Sequence, residues 1–292
     1  MSMRFLAVSL RLPLFSIRDP ESWGVRLSFV LPPPRSLLGA LARGLGIILG
    51  FRSGEEKQKN EFVRDILTFG IEVSSYATIR QLSPLLKSSY ILRYVPPVEK
   101  GEPIETVEGS HDAFKTDLMF SGMMKIIFSF DIAKINSVFK TYDLPKVDEY
   151  IICQAAKLID RIGSTENFCH AHKVEFVNIE EISPTVNTYV PLDWIESVKG
   201  EYFISDLLPN IRILKDAGVI KDESISNLQD KDLRRMKMRY VFPLKLVGEI
   251  RGKMFFESDE VEIMLKKRYS GYILNDGTRV VIPSLGKNKT GD

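Results

Sequence analysis

Histidine and cysteine are scarce in this chain: its 292 residues hold three histidines and two cysteines, Cys153 and Cys169. Two cysteines offer no disulfide framework and fit a reducing compartment. An excess of charge is missing too, since 40 basic against 38 acidic side chains leave a formal net charge of +2. That balance excludes a histone-like mode of nucleic-acid binding and leaves room for a local basic groove. No uninterrupted apolar run reaches the roughly 18 residues that suggest a membrane span. The first 14 residues lack the apolar core and small-residue cleavage site of a signal peptide. No internal repeat is present. With 44% hydrophobic and 27% charged residues, the composition is that of an ordinary soluble globular protein, expected in the cytoplasm and not at a membrane.

What is present is concentrated in one segment, Phe29-Val30-Leu31-Pro32-Pro33-Pro34-Arg35-Ser36-Leu37-Leu38-Gly39-Ala40-Leu41. An apolar extended run meets three prolines and passes without a linker into a helical pattern. Proline is tolerated in the first turn of a helix, where its missing N–H has no intrahelical partner. The segment therefore reads as a rigid elbow with a fixed helix N-terminus, and such an end attracts anions through its free N–H groups and dipole. Arg35 and Ser36 add a cation and a hydroxyl there, so a phosphate is one partner for the elbow. A buried packing elbow is the other reading.

The pattern along the chain is that of an α+β protein. Residues 4–12 read as a strand with Leu6, Val8 and Leu10 on one face, and residues 25–31 as a second extended run. A helix over 35–49 carries Leu38, Leu41, Leu45 and Ile48 as a buried stripe. Residues 50–60 read as a surface loop, 61–69 as a short helix and 71–80 as a strand. Between 81 and 122 the regularity is lost, interrupted by Pro84, Pro96, Pro97 and Pro103; a long irregular excursion in a compact domain is usually functional or disordered. Residues 123–131 form a strand, 147–162 an amphipathic helix stopped by Gly163, and 173–179 another strand. This order approximates a ferredoxin-like sandwich over residues 1–185. From 186 to 292 short strands dominate, with a mainly helical insert at 203–235. Asn275-Asp276-Gly277-Thr278 signals a hairpin, and residues 286–292 read as a frayed tail.

The first helix carries Gly39, Gly44 and Gly46, each costing about 1 kcal/mol relative to alanine, so roughly 3 kcal/mol must be offset elsewhere. Ser36, Gly39, Arg43, Gly46 and Gly50 fall along one stripe of nearly bare backbone with a single arginine. Such a stripe admits a flat ligand or another backbone, and Arg43 can bond a phosphate. Gly44 and Gly46 equally fit tight packing; Ser36 and Gly39 fit a ligand better.

The opening strand, the turn Leu14-Phe15-Ser16-Ile17-Arg18-Asp19-Pro20, the elbow through Leu37-Leu38-Gly39-Ala40-Leu41, and Leu158-Ile159-Asp160-Arg161-Ile162-Gly163-Ser164-Thr165-Glu166 together resemble the Cas-five family of CRISPR-associated proteins, in the RAMP superfamily and nearest its archaeal type I-A members. The resemblance implies a ferredoxin-like, RRM-like RNA-recognition domain with a hairpin thumb inserted at about 81–122. It implies a non-catalytic subunit of a Cascade ribonucleoprotein complex in antiviral defence. Such a subunit caps the 5′ handle of CRISPR RNA and contacts the backbone (Cas-seven) subunit and the large subunit. Target DNA would be read through guide pairing, so this chain would meet it only indirectly. Carried onto matching positions, the resemblance makes Arg18, Arg35, Ser36, Arg161, Gly163 and Ser164 RNA-binding candidates.

Within the excursion, Arg80, Lys87, Tyr90, Arg93, Tyr94, Lys115, Met119 and Phe120 interleave cations with rings and one soft apolar residue. Single-stranded RNA is held by that combination of backbone charge and stacking, and Arg80, Lys115, Met119 and Phe120 are the candidates taken from this segment. A solvated loop with occasional anchors is the alternative for each of them. Some family members cut RNA without metal, which needs a base for the 2′-OH and an acid for the leaving oxygen. His111 and Lys115 would align only on a helix, and no motif marks a site, so no catalytic residue is expected. Cys169-His170-Ala171-His172 resembles a metal cluster, but zinc needs further ligands from afar, and neither metal nor cofactor is expected. Lys231, Arg234, Arg235, Lys237 and Arg239 form the densest basic run, which reads as a solvated helix face or a contact for phosphate or an acidic subunit.

Overall fold

Alternating apolar residues build the opening strand, whose Leu6, Val8 and Leu10 are fully buried. The structure, a computed structural model, describes residues 3–20, 25–51, 57–94, 112–163, 166–221, 230–233 and 235–284. Its first half comprises β1 (Arg4–Arg11), β2 (Leu14–Phe15), β3 (Val25–Arg26), β4 (Ser75–Gln81), β5 (Leu85–Tyr94), β6 (Asp112–Phe120), β7 (Met123–Phe130) and β8 (His170–Val177). Four helices accompany them: α1 (Pro34–Ile48), α2 (Lys57–Ser74), α3 (Ile132–Thr141) and α4 (Glu149–Lys157). The central sheet has the order β4-β7-β1-β8, antiparallel throughout. Because β1 and β4 both run antiparallel to β7 between them, they are parallel to each other. α1 and α2 lie on the connection from β1 to β4, and α3 and α4 on that from β7 to β8.

The helices form where local signals and burial agree. α1 buries Leu37, Leu38, Leu41 and Leu45 completely. At about 2 kcal/mol per buried leucine, that stripe more than offsets its glycines. α3 and α4 are capped by Asp131, which accepts from the Lys134 N–H at 3.2 Å, and by Asp148, which accepts from the Ile151 N–H at 2.8 Å. An N-cap carboxylate satisfies one of the helix's orphan donors.

The second half supplies β9 (Ile179–Ile182), β10 (Thr185–Val186), β11 (Val190–Pro191), β12 (Ile195–Lys199), β13 (Phe203–Leu207), α5 (Ile211–Asp216) and α6 (Asp230–Leu233). It continues with β14 (Met238–Phe242), β15 (Leu244–Ile250), β16 (Lys253–Ser258), β17 (Val261–Leu265), β18 (Tyr269–Leu274) and β19 (Arg279–Pro283). It forms three small sheets, β10-β17-β12, β11-β14-β13 and β19-β18-β9. Tyr189 meets Tyr240 edge-on at 5.4 Å, and Trp194 stacks on Tyr269 at 4.5 Å. Thr78 donates to the Tyr189 carbonyl at 2.9 Å across the junction. The Asn-Asp-Gly turn closes β18 on β19, with Gly277 at φ +76° as that turn requires. The remaining sheet mixes both halves: β15-β16-β5-β6-β2, with β3 pairing parallel to β6.

Several expectations from the sequence need correction. The excursion at 81–122 is regular at its described ends, where β5 and β6 pair along nine residues from Leu86↔Phe120 to Tyr94↔Asp112. Its pattern hid the strands because it is inverted: Ser88, Thr116 and Asp117 are buried while Ile91 is 74% exposed. Asp117 tolerates burial because Lys87 pairs with it at 3.0 Å and Ser89 donates to it at 2.6 Å. Residues 71–74 continue α2, since Ile71 extends a buried stripe with Val63 and Leu67 at four-residue steps. α2 also begins at Lys57, inside the segment read as a loop. α3 was not anticipated, and the helix expected over 147–162 ends at Lys157. Of the extended run at 25–31, Val25–Arg26 pairs as a strand, and Ser28 makes an isolated bridge with Arg18. In the insert at 203–235, residues 203–207 are strand β13, paired along β14.

No helix among the described residues is long and apolar enough to cross a membrane. Cys153 and Cys169 are free thiols. Within the basic run, Lys237 pairs with Asp19 at 2.6 Å and Arg239 is exposed on β14.

Candidate functional site

The proline elbow is closed. Pro32, Pro33 and Pro34 are buried, Tyr189 donates to the Pro32 carbonyl at 3.2 Å, and the Arg35 N–H reaches the Leu208 carbonyl at 3.5 Å. The Arg35 side chain turns inward to Glu72, Nε to Oε1 at 3.1 Å, and Glu72 is only 2% exposed. The helix start therefore packs against the second half, and Arg35 serves an ion pair between α1 and α2. Ser36 beside it is half-buried.

One turn further along α1 the surface opens. A Cβ added at Gly39 would meet nothing within 4 Å, whereas one at Gly44 would overlap the Ala155 carbonyl oxygen on α4. Gly44 is thus the point where two helices touch, and Gly39 is bare surface. Arg43, a turn beyond Gly39, makes a two-pronged pair with Asp160, the second prong 3.2 Å from Nη2 to Oδ2. Arg161 approaches the same carboxylate, Nε to Oδ1 at 3.5 Å. The Arg43 hydrogen bond leads the causes that hold the Asp160 carboxyl below its ordinary pKa. Two motifs about 120 residues apart in the chain are thereby joined by one carboxylate.

The turn that follows is buttressed from β2's side. Asn167, 2% exposed, donates to the Ile162 carbonyl at 3.0 Å and accepts from the Ser16 N–H at 3.0 Å. Gly163 has φ +76°, which favours glycine, and a Cβ on it would lie 3.2 Å from the Ile17 side chain, which would have to give slightly. Arg18 follows Ile17 directly and is exposed. Cys169 lies under the turn, its thiol pushed up to about 12 by burial first and then by Asp160. Ser164 lies outside the described residues, as do His111 and Arg234.

The thumb candidates divide. Lys115 is exposed, and Phe120 is half-buried with its ring edge-on to Tyr90 at 6.4 Å. Met119 is a correction: it is fully buried, paired in register with Phe15, and presents nothing to a ligand. Strand alternation puts Met119 with Leu85 on the core face and Phe120 outward. Arg80 is half-buried. It lies across from Lys125 on β7, and it donates to the Gly277 carbonyl at 3.3 Å while Lys125 pairs with Asp276 at 3.0 Å. Both cations are taken up by the β18–β19 turn, and burial lowers the pKa of Arg80.

Two features escaped sequence reasoning. Phe168 is 65% exposed and stands opposite Arg161 in an antiparallel bridge. In addition, Leu14, Phe120, Leu86 and Phe255 line up in register across four strands of the mixed sheet. They form an outward apolar row, with Leu14 43% and Phe255 36% exposed. Long-range pairing creates the row, and a bridge across a short turn sets Phe168, so no hydrophobic periodicity marks either.

No family model matches the chain. CRISPR-associated protein Cas5 of Methanocaldococcus jannaschii is 26% identical over 196 residues, 65% of this chain and 71% of that protein. The crystal structure of a CRISPR protein from Archaeoglobus fulgidus superposes with a TM-score of 0.51 at 16% identity, covering 97% of this chain and 100% of that one. That likeness is one of fold. With a strand, a polar turn, a proline elbow and the Arg-Ile-Gly segment present, the sequence similarity that spans most of the chain is to a CRISPR-associated protein Cas5.

Proposed function

We propose that this protein is a non-catalytic subunit of a type I CRISPR interference complex that holds the 5′ handle of the CRISPR RNA. The observation that carries the reading is the convergence of Arg43 and Arg161 on Asp160, beside the exposed Gly163 and next to the segment bearing Arg18. Planar guanidinium groups on a rigid, glycine-bare surface suit an RNA backbone, which needs fixed cations and room for close approach. Asp160 keeps the two arginines aligned until phosphates compete for them. We read the central sheet, with two parallel strands split by an antiparallel one and helices on the crossovers, as ferredoxin-like. β5 and β6 are then the thumb. The outward row of Leu14, Phe120, Leu86 and Phe255 lacks the charge a phosphate needs and fits a neighbouring protein subunit.

The test is to mix the purified chain, and the chain assembled with its partner subunits, with RNA containing the repeat. The reading expects uncleaved binding that weakens steeply with salt, and weaker binding by Arg43→Ala and Arg161→Ala. Site-specific cleavage would replace it with a guide-processing endoribonuclease. Absence of RNA affinity in both preparations would leave a scaffold subunit.

A further inference from the structure

Phe168 is a large ring with most of its surface in water, and the backbone of residues 166–169 around it is held at several points. Its N–H donates to the Glu166 carbonyl at 3.1 Å, the next N–H, of Cys169, donates to the Asp160 carbonyl at 2.8 Å, and Asn167 before it is buried. In an antiparallel bridge, directly opposed side chains lie on the same face with Cβ atoms about 5 Å apart. The ring of Phe168 and the guanidinium stem of Arg161 therefore leave the turn together. Arg161 shares Asp160 with Arg43, so the ring borders the cationic cluster.

An exposed phenyl ring gains nothing in the free fold, yet here it is presented from a rigid base, which lowers the ordering cost of binding. A flat apolar partner that arrives attached to an anion satisfies both the ring and the arginines. We propose that Phe168 is the stacking platform for one unpaired base of the RNA whose backbone Arg43 and Arg161 hold. The inference rests on the proposed function and adds to it the place where a base leaves the strand. Stacking of this kind is tolerant of base identity because every base offers a π face, so the platform fixes the register of the handle and not its sequence.

The test uses the full chain and the 5′ repeat-derived segment of CRISPR RNA, with 2-aminopurine placed at successive positions and binding measured by anisotropy across a salt series. Phe168→Ala is expected to weaken binding about tenfold without changing the slope of affinity against salt, whereas Arg161→Ala lowers that slope by about one. Fluorescence at one position is quenched by the wild type and by Phe168→Trp, and not by Phe168→Ala or Phe168→Leu. Wild-type affinity in Phe168→Ala, or equal quenching by Phe168→Leu and Phe168→Trp, overturns the platform while leaving the proposed function standing. If the wild type and Arg161→Ala alike bind no RNA, both fall.

Discussion

The elbow and the Arg-Ile-Gly turn look alike in the sequence: each places an arginine and a serine at the end of a helix. The fold treats them oppositely. The elbow is sealed by Tyr189 and Leu208, and its arginine is drawn to a buried glutamate. Gly163 is exposed, and the arginine two residues before it meets a half-exposed aspartate already shared with Arg43. What separates the two is the counter-ion's surroundings. A guanidinium facing a buried carboxylate is committed to the fold, because stripping either partner strands a charge in a medium of low dielectric. One facing a solvated carboxylate can exchange partners at small cost.

The sharpest way to break this contrast is Arg35→Ala. It should destabilise the fold by about 3 kcal/mol, since Glu72 loses a partner at 2% exposure, as read from urea unfolding. Full stability would mean the elbow arginine is available to a ligand after all. Next come the two glycines of α1. Gly44→Ala should cost about 2 kcal/mol through overlap with α4, while Gly39→Ala should raise stability by about 1 kcal/mol through helix propensity. Equal effects at both positions would erase the distinction between packed and bare faces. Gly163→Ala should cost about 1–2 kcal/mol, the strain of an L-residue at positive φ, with added pressure on Ile17.

The smallest effect concerns pH. The Asp160 carboxyl is held below its ordinary range, so its contribution to stability is complete above the unfolded aspartate pKa and is lost as pH falls through the lower folded one. Because the pair is half-exposed, the loss is a few tenths of a kcal/mol. It should vanish from the acid limb of the stability curve in Asp160→Asn.

Much of this was legible in the sequence where local chemistry and burial point the same way. The alternation of β1, the Leu38-Leu41-Leu45 stripe of α1 and the Asn-Asp-Gly hairpin fall where they were expected, whereas Ile48, read as the end of that stripe, is 41% exposed. Legibility failed where distant partners decide the environment. Polar Ser88 and Asp117 go inside on the β5–β6 pair because β16 covers one end and Lys87 supplies a charge, so the hydrophobic pattern reads as noise. α3 was missed although Asp131 caps it and Ile132, Ile135 and Phe139 fall at helical spacing, because only ten residues carry that pattern. At the site, Arg43 and Arg161 were named from the sequence, and their shared aspartate was not recognised as the joint. Phe168 was passed over because nothing nearby in the chain marks it as exposed.

The mixed sheet bears on how this protein is made. β5 pairs with β16, and Leu86 finds Phe255 only when the chain has grown by about 170 further residues. A ribosome adds roughly 5–20 residues each second, so the β5–β6 pair, complete at Phe120, waits about 7–27 s for Phe255 with one strand edge uncovered. For the first part of that interval the elbow also lacks Tyr189 and Leu208. The first 185 residues are therefore an unfinished object during synthesis, and the last strands act as the clasp that closes them.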